Sequence, residues 1–225
     1  MRLIPFRLVL VLVLALAGCG RSAPPSRPWL DFGTSGPATP SPSAPSPAAF
    51  QACLAELEAQ DVRFTPSPDR IDSETCRIEG AGVLVADMAV RSSLAPGRPT
   101  LTCALAADLT GWRRDLDPLA REILGAEVQV IEHMGVYACR NVNSLATGRP
   151  SAHARAAAID VAGFRLTDGR RITVRQDWTS EGDEARFLRA VRDAACRRFG
   201  TVLSPDYNAL HHDHLHLEES GRLCR

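Results

Sequence analysis

The chain has 225 residues, and its 26 basic and 26 acidic residues give a formal net charge of zero at pH 7. This balance excludes a general electrostatic attraction to nucleic acid, so we expect no nucleic-acid partner. Every basic residue is an arginine, which excludes Schiff-base chemistry and catalysis by a lysine base.

The first 18 residues have the pattern of an export signal. Two arginines precede an apolar run over residues 8–16, which is too short to span a membrane. The ending Leu16-Ala17-Gly18-Cys19 resembles a bacterial lipobox, which implies a lipoprotein signal peptide over residues 1–18 and a lipid on Cys19. A plain secretory signal with an incidental cysteine is the alternative. Gly20 after the cysteine resembles the sorting pattern for the outer membrane of a Gram-negative bacterium.

Residues 19–48 are dominated by proline, serine and alanine. Such a segment cannot bury enough apolar surface to fold, and it samples extended conformations. We therefore predict a disordered tether that holds the remaining residues, 49–225, away from the membrane, although a Pro-rich ligand for a partner domain is an alternative. Residues 49–225 have the composition of a single domain, which we expect to be a monomer.

The pattern of apolar residues in segment 49–225 predicts an α+β domain with a small antiparallel sheet and flanking helices. Apolar residues recur at helical spacing over residues 49–60, 103–124 and 187–199. We expect the second helix to be interrupted near Gly111 and Pro118, and the third to follow a capping box at Ser180 to Asp183. Short β-branched or alternating segments predict strands over residues 83–85, 127–131, 159–164, 171–174 and 215–218. We expect the last of these strands to close the sheet.

Six cysteines remain when Cys19 is set aside, an even number in a chain with an export signal. This predicts three disulfide bonds in an oxidising compartment. Many connectivities are open, and we expect sequential pairing: Cys53 with Cys76, Cys103 with Cys139, and Cys196 with Cys224. No CxxC motif is present, which argues against a cysteine metal site or a thioredoxin-like redox site.

Two distant segments carry the residues typical of a metal site. Residues 211–218 contain four of the six histidines together with Asp213, and residues 151–160 supply His153 and Asp160. An open catalytic zinc site requires three protein ligands, a water and a base. Strand alternation would place His212, His214 and His216 on one face. Asp213 would join them only if the chain turns just before His214.

The motifs Ser-x-His-x6-Asp and His-x-Asp-His-x-His resemble those of the D-Ala-D-Ala carboxypeptidase and murein endopeptidase zinc peptidases, which share a core fold with hedgehog domains. Residues 137–140, 151–164 and 205–218 resemble more closely the bacterial extensin-like C-terminal domain. This resemblance covers residues 50–224. It implies one bound zinc ion held by His153, Asp160 and His216.

The same resemblance implies roles for the neighbouring residues. Asp213 corresponds to the general base, and His211 and His214 to auxiliary histidines that bind substrate or stabilise the transition state. Arg140 would polarise the scissile carbonyl, and Ser151 would contact substrate. One residue departs from the pattern: Ala156 replaces the usual glycine, which matters if that position needs a positive φ.

These residues together predict an envelope-anchored zinc metallopeptidase. Its substrates would be peptidoglycan peptides of the cell wall, and it would act in the periplasm as a D,D-carboxypeptidase or an endopeptidase. Two alternatives remain open: a non-catalytic peptidoglycan-binding or structural lipoprotein that retains the zinc-peptidase fold, and a zinc hydrolase that acts on a different amide.

Overall fold

The computed structural model describes residues 44–225. The predicted signal peptide, the predicted lipidation site Cys19 and most of the predicted tether lie outside the described residues. Within residues 44–225, no helix has both the length and the apolar character needed to cross a membrane.

Four α-helices are present in the described chain. They are α1 (Pro47–Ala59), α2 (Cys103–Leu124), α3 (Val174–Asp177) and α4 (Asp183–Cys196). Helix α1 begins two residues before the predicted domain boundary, with proline in its first turn and the Ser46 hydroxyl accepting a hydrogen bond from the Ala49 N–H at 3.2 Å.

Two predictions about helix ends and breaks were wrong. Helix α2 runs without interruption past Gly111 and Pro118, because its buried residues, including Leu109 and Trp112, hold one face in the core. The predicted capping box is absent because Gly182, not Ser180, is the N-cap of α4, and no side chain caps that helix. The Ser180 hydroxyl instead donates a hydrogen bond to the Asp177 carbonyl.

The part of the chain that the structure describes also contains twelve β-strands. They are β1 (Val62–Pro66), β2 (Arg70–Ile71), β3 (Arg77–Ile78), β4 (Ala81–Asp87), β5 (Ser93–Ala95), β6 (Thr100–Thr102), β7 (Val128–Gly135), β8 (Ala158–Leu166), β9 (Arg171–Thr173), β10 (Thr201–Leu203), β11 (Leu215–Glu218) and β12 (Leu223–Cys224). The strand predicted over residues 171–174 ends at Thr173, because Val174 begins α3. All five predicted strands are otherwise present: β11 has the predicted bounds, and the other strands have shifted ends.

The main sheet has seven strands in the order β12-β10-β11-β8-β7-β5, with β9 also paired to β8. Most pairs are antiparallel, but β5 runs parallel to β7 and β12 runs parallel to β10. Strand β11 therefore lies inside the sheet, between β10 and β8, and does not close it as predicted. Strand β8 is central, because β7 pairs along one edge while β11 and β9 share the other.

Helices α2 and α4 contribute to a core that includes one face of the main sheet. The Trp112 ring of α2 lies 6.2 Å from the Phe164 ring of β8, and Phe187 of α4 lies 5.3 Å from Phe164. In the strands, Ile159 and Val161 alternate with Asp160, while Leu215 and Leu217 alternate with His216, and all four apolar residues are fully buried. Strand alternation therefore places Asp160 and His216 on the face of the sheet that points away from this core.

Residues 44–225 contain three disulfide bonds, as predicted, but only one of the expected pairs is correct. Cys196 pairs with Cys224, which joins α4 to the last strand. The other bonds are Cys53–Cys103 and Cys76–Cys139. Sequential pairing was wrong because α1 packs beside α2, which brings Cys53 to the start of α2 and leaves Cys76 for the segment after β7.

Candidate metal centre

The three predicted metal ligands lie together. Strands β11 and β8 are paired so that His216 stands directly opposite Asp160, and His216 Nδ1 lies 2.9 Å from Asp160 Oδ1. His153 Nε2 lies 3.2 Å from Asp160 Oδ1 and 3.2 Å from His216 Nδ1. A sheet register and a neighbouring turn therefore direct two imidazole nitrogens and one carboxylate oxygen at a common point.

A short 3₁₀ turn, Ala152–Arg155, carries His153. The Ser151 hydroxyl accepts a hydrogen bond from the His153 N–H at 3.4 Å and so caps the turn. The turn ends at Ala156, which has a φ of 55° in the left-handed region. This position therefore does need a positive φ, where glycine is unstrained and alanine is not.

The outer nitrogen of each histidine has a hydrogen-bond acceptor of its own. His153 Nδ1 donates to the Val136 carbonyl at 2.8 Å, and His216 Nε2 donates to Glu218 Oε2 at 3.4 Å. With the protons on these nitrogens, His153 Nε2 and His216 Nδ1 each offer a lone pair to an ion beside Asp160, and if either of these two nitrogens carries a proton instead, it donates a hydrogen bond to Asp160. Partners of this kind orient the histidine ligands of metals.

The spacing of the three donor atoms fits a tetrahedral ion. With bonds of about 2.0–2.1 Å, the donors of tetrahedral zinc lie roughly 3.3 Å apart, close to the distances between His153, Asp160 and His216. Two imidazoles with one carboxylate also suit zinc better than calcium or magnesium, which prefer ligand sets made of oxygen.

The charges of the cluster support the same arrangement. Burial alone would raise the pKa of Asp160, but hydrogen bonds with His153 and His216 outweigh it and hold that pKa far below its usual range. Burial likewise disfavours a charged His216, yet its hydrogen bonds with Asp160 and Glu218 raise its pKa to about 9. The carboxylates thus create a strong local preference for positive charge.

The cluster lies in a cavity of about 670 Å³. Four of the other predicted site residues also line it: Arg140, Ser151, His211 and His214. Asp213 does not line it. The Asp213 side chain contacts the neighbouring histidines, with Oδ1 2.9 Å from His214 Nδ1.

The predicted strand alternation of the histidines was wrong, because the strand begins only at Leu215. Residues Ala209–His211 form a 3₁₀ turn, and a further turn precedes β11. His214 therefore directs Nε2 to within 3.6 Å of Asp160 Oδ1, whereas the side chain of His212 is 59% exposed and lies outside the cavity. The predicted turn before His214 is present, and it directs Asp213 onto His214.

His211 lies above the cluster, with its ring centroid 5.2 Å from that of His214. Its Nδ1 lies 2.8 Å from Asn208 Oδ1, which fixes the ring. Burial, assisted by the charges of His214 and His216, lowers the pKa of His211 to about 4. His211 is therefore neutral at pH 7 and can donate or accept a hydrogen bond without adding charge.

Glu218 and Arg149 are lining residues to which the sequence pattern had assigned no role. Glu218 could have been found by strand periodicity, since it lies two residues after His216 and therefore on the same face. No local sequence pattern identifies Arg149 as a lining residue, because it lies in an irregular loop whose path depends on tertiary contacts.

Comparison with known proteins agrees with the earlier resemblance at the level of the family. No curated protein and no solved structure is significantly similar to the chain. Residues 51–225 match the family model described as Extensin-like protein C-terminus. Since the match covers most of the sequence, the chain belongs to the extensin-like protein C-terminal family.

Proposed function

We propose that this protein is a zinc metallopeptidase that hydrolyses amide bonds of peptidoglycan peptides, as a D,D-carboxypeptidase or an endopeptidase. The observation that carries this proposal is the group formed by His153, Asp160 and His216, whose ligand atoms all lie within 4.8 Å of one another at the wall of a large cavity. Three ligands leave one coordination position of a tetrahedral zinc ion open, and catalysis requires such a position. A purely structural zinc site has four protein ligands and leaves no position open.

A zinc ion held by these residues would lower the pKa of a bound water and polarise the scissile carbonyl. The protein must then move a proton. His214 borders the cavity with Nε2 directed towards Asp160, and its Nδ1 donates to Asp213. This arrangement favours His214 as the group that takes the proton and returns it to the leaving amine, with Asp213 as the residue that orients it.

Two further residues complete the proposed chemistry. Arg140 lines the cavity and supplies positive charge to the oxygen that becomes negative in the transition state. His211, neutral at pH 7, is placed to hydrogen-bond the peptide. We also propose that the fold is related to the hedgehog and D-Ala-D-Ala peptidase group, and that a lipid on Cys19 anchors the chain to the outer membrane, facing the periplasm.

The proposal is tested with the mature chain, zinc and purified muropeptides, with products identified by mass spectrometry. Release of D-alanine or of cleaved cross-links by the wild-type protein, and not by His216→Ala, supports it. Zinc binding and peptidoglycan binding without turnover would instead favour the non-catalytic wall-binding alternative. Turnover of other amides alone would favour a hydrolase with a different substrate.

A further inference from the structure

The cavity carries more positive charge than hydrolysis of a neutral amide needs. Its charged lining residues are three arginines, Arg140, Arg149 and Arg155, and two carboxylates, Asp160 and Glu218. Without counting the histidines, this is a formal excess of one positive charge, and a divalent ion would add two more. A concave site of this charge concentrates anionic ligands.

Two of the arginines are presented by the loop of residues 140–151, which we call the arginine loop. Its two arms are joined by hydrogen bonds from the Ser151 N–H to the Arg140 carbonyl at 3.0 Å and from the Val142 N–H to the Arg149 carbonyl at 2.9 Å. An isolated antiparallel bridge between Asn141 and Pro150 lies between these bonds.

This pairing places Arg140 and Arg149 on one side of the arginine loop, because Arg149 stands opposite Val142, two residues after Arg140. Diagonal neighbours of this kind lie within reach of long side chains. The disulfide bond between Cys76 and Cys139 ties down the residue just before Arg140. The base of the arginine loop, next to the turn that carries His153, is thus held in place.

Neither arginine forms a salt bridge with any of the residues 44–225. The carboxylate whose charge Arg149 influences is Glu218, but the oxygens of Glu218 accept hydrogen bonds from His216 Nε2 and from the Ser220 hydroxyl. Arg155 differs, because its charge acts on the half-buried Glu219. Arg140 and Arg149 therefore bring uncompensated guanidinium groups to the cavity.

We propose that Arg149 forms a carboxylate-binding subsite beside the metal centre, next to the Arg140 that faces the scissile carbonyl, and that the substrate is a peptide with a carboxylate close to the scissile bond. This substrate class rests on the function proposed above. The rest of the cavity wall includes apolar residues, among them Tyr207 and Leu210, which suit a small apolar side chain beside that carboxylate. The carboxylate is either the free C-terminus of the peptide or the side chain of an acidic residue.

The test uses two matched pairs of peptides with the mature chain, both zinc-loaded and metal-free. One pair is N-acetyl-D-alanyl-D-alanine and its C-terminal amide. The other is N-acetyl-D-alanyl-D-glutamic acid with an amidated C-terminus and the corresponding D-glutamine peptide. We expect calorimetry to show about tenfold tighter binding of the acid in at least one pair, as charge-assisted hydrogen bonds provide. The pair that shows this preference identifies the source of the carboxylate.

Arg149→Gln should remove the preference for the acid, whereas Arg63→Gln, at an exposed position outside the cavity, should keep it. Thermal unfolding of both variants checks that each is folded. Equal binding of acid and amide in both pairs overturns the subsite, as does a preference that survives in a folded Arg149→Gln variant, or an absence of binding by all four peptides at millimolar concentration.

The outcomes separate this inference from the proposed hydrolysis. An Arg149-dependent preference for the acid, without any cleavage, supports the subsite and contradicts the hydrolase. Cleavage of acid and amide at equal rates supports the hydrolase and overturns the subsite.

Discussion

His214 Nδ1 lies 2.9 Å from Asp213 Oδ1, and of these two residues only His214 lines the cavity. We therefore expect His214→Ala to lower kcat by about 10²–10⁴-fold, the usual contribution of a general acid–base residue. Asp213→Asn should have a smaller effect, because the histidine remains. The measurement is steady-state hydrolysis of muropeptides, with zinc content as the control, which should be unchanged in both variants. A larger loss in Asp213→Asn than in His214→Ala would assign the base to Asp213 instead.

The metal ligands are tested by binding and stability, independently of activity. His153→Ala should lose stoichiometric zinc, because it removes one of three donors, whereas His212→Ala should bind zinc as the wild type does. Zinc at 100 times its dissociation constant should stabilise the wild-type fold by about 2.7 kcal/mol. Metal analysis and melting curves with and without a chelator check both points. A melting temperature of the wild-type protein that does not respond to zinc would contradict the site.

Asp108, in helix α2, gives the stability of the fold a dependence on pH. Burial, reinforced by the negative charge of Glu219, raises its pKa to about 7. Because the folded protein holds this proton more tightly than the unfolded chain, the contribution of Asp108 to stability is fully present below about pH 4 and is lost as the pH rises to 7. Asp108→Asn should therefore stabilise the fold at pH 8 by about 1–2 kcal/mol, after allowance for partial exposure.

Urea unfolding at pH 3 and pH 8 measures this difference, which should vanish at the lower pH. The exposed Glu58→Gln serves as the control and should show no such dependence. An equal effect of Asp108→Asn at both values of pH would show that burial does not hold the proton on this residue.

Substitutions of Ala156 test whether the left-handed conformation of this residue, which ends the turn that carries His153, is strained. In Ala156→Gly, relief of about 1–2 kcal/mol of strain is offset by roughly 0.5–1 kcal/mol of backbone entropy and about 0.8 kcal/mol for a buried methyl group. We expect a net change within about 1 kcal/mol. Ala156→Val should instead cost about 2 kcal/mol or more and weaken zinc binding, because a branched side chain does not tolerate this φ in a packed site. Denaturant unfolding and zinc titration provide the measurements, and a valine variant as stable as wild type would contradict the strain.

Much of the secondary structure could be predicted because it is encoded by local patterns. The bounds predicted for α2, residues 103–124, agree with the structure, since Thr102 caps its start and Gly125 ends it in the left-handed conformation. Predictions from the sequence were wrong where a local rule, such as the interruption of helices by glycine, competed with tertiary packing. Gly111 does not break α2, because buried neighbours such as Leu109 and Trp112 hold the helix in the core. Gly111 itself packs against the guanidinium of Arg198, where an added Cβ would lie 2.9 Å from Nη1.

The residues of the candidate site also divide into those that motifs identify and those whose position depends on tertiary contacts. His153, Asp160 and His216 could be identified from motifs, because their residue types and spacings are characteristic. The position of Asp213 could not, since it depends on the turns between Asn208 and Leu215. The disulfide partners of Cys53 and Cys76 could not be predicted for a related reason. Each partner lies far along the chain and is selected by how α1, α2 and β7 pack.

By itself, the sequence determined the three longer helices, five of the twelve strands in residues 44–225 and the presence of three disulfide bonds, and the family resemblance implied the three metal-binding candidates. The helices and strands follow from periodicity over a few residues, and the candidate ligands follow from the motifs that carry the resemblance. Only the tertiary structure decided which cysteines pair, that His214 rather than His212 borders the cavity, and that Arg149 shares it with the candidate ligands. The physical reason is that these contacts join residues distant in the chain through sheet register and loop closure, which no local pattern encodes.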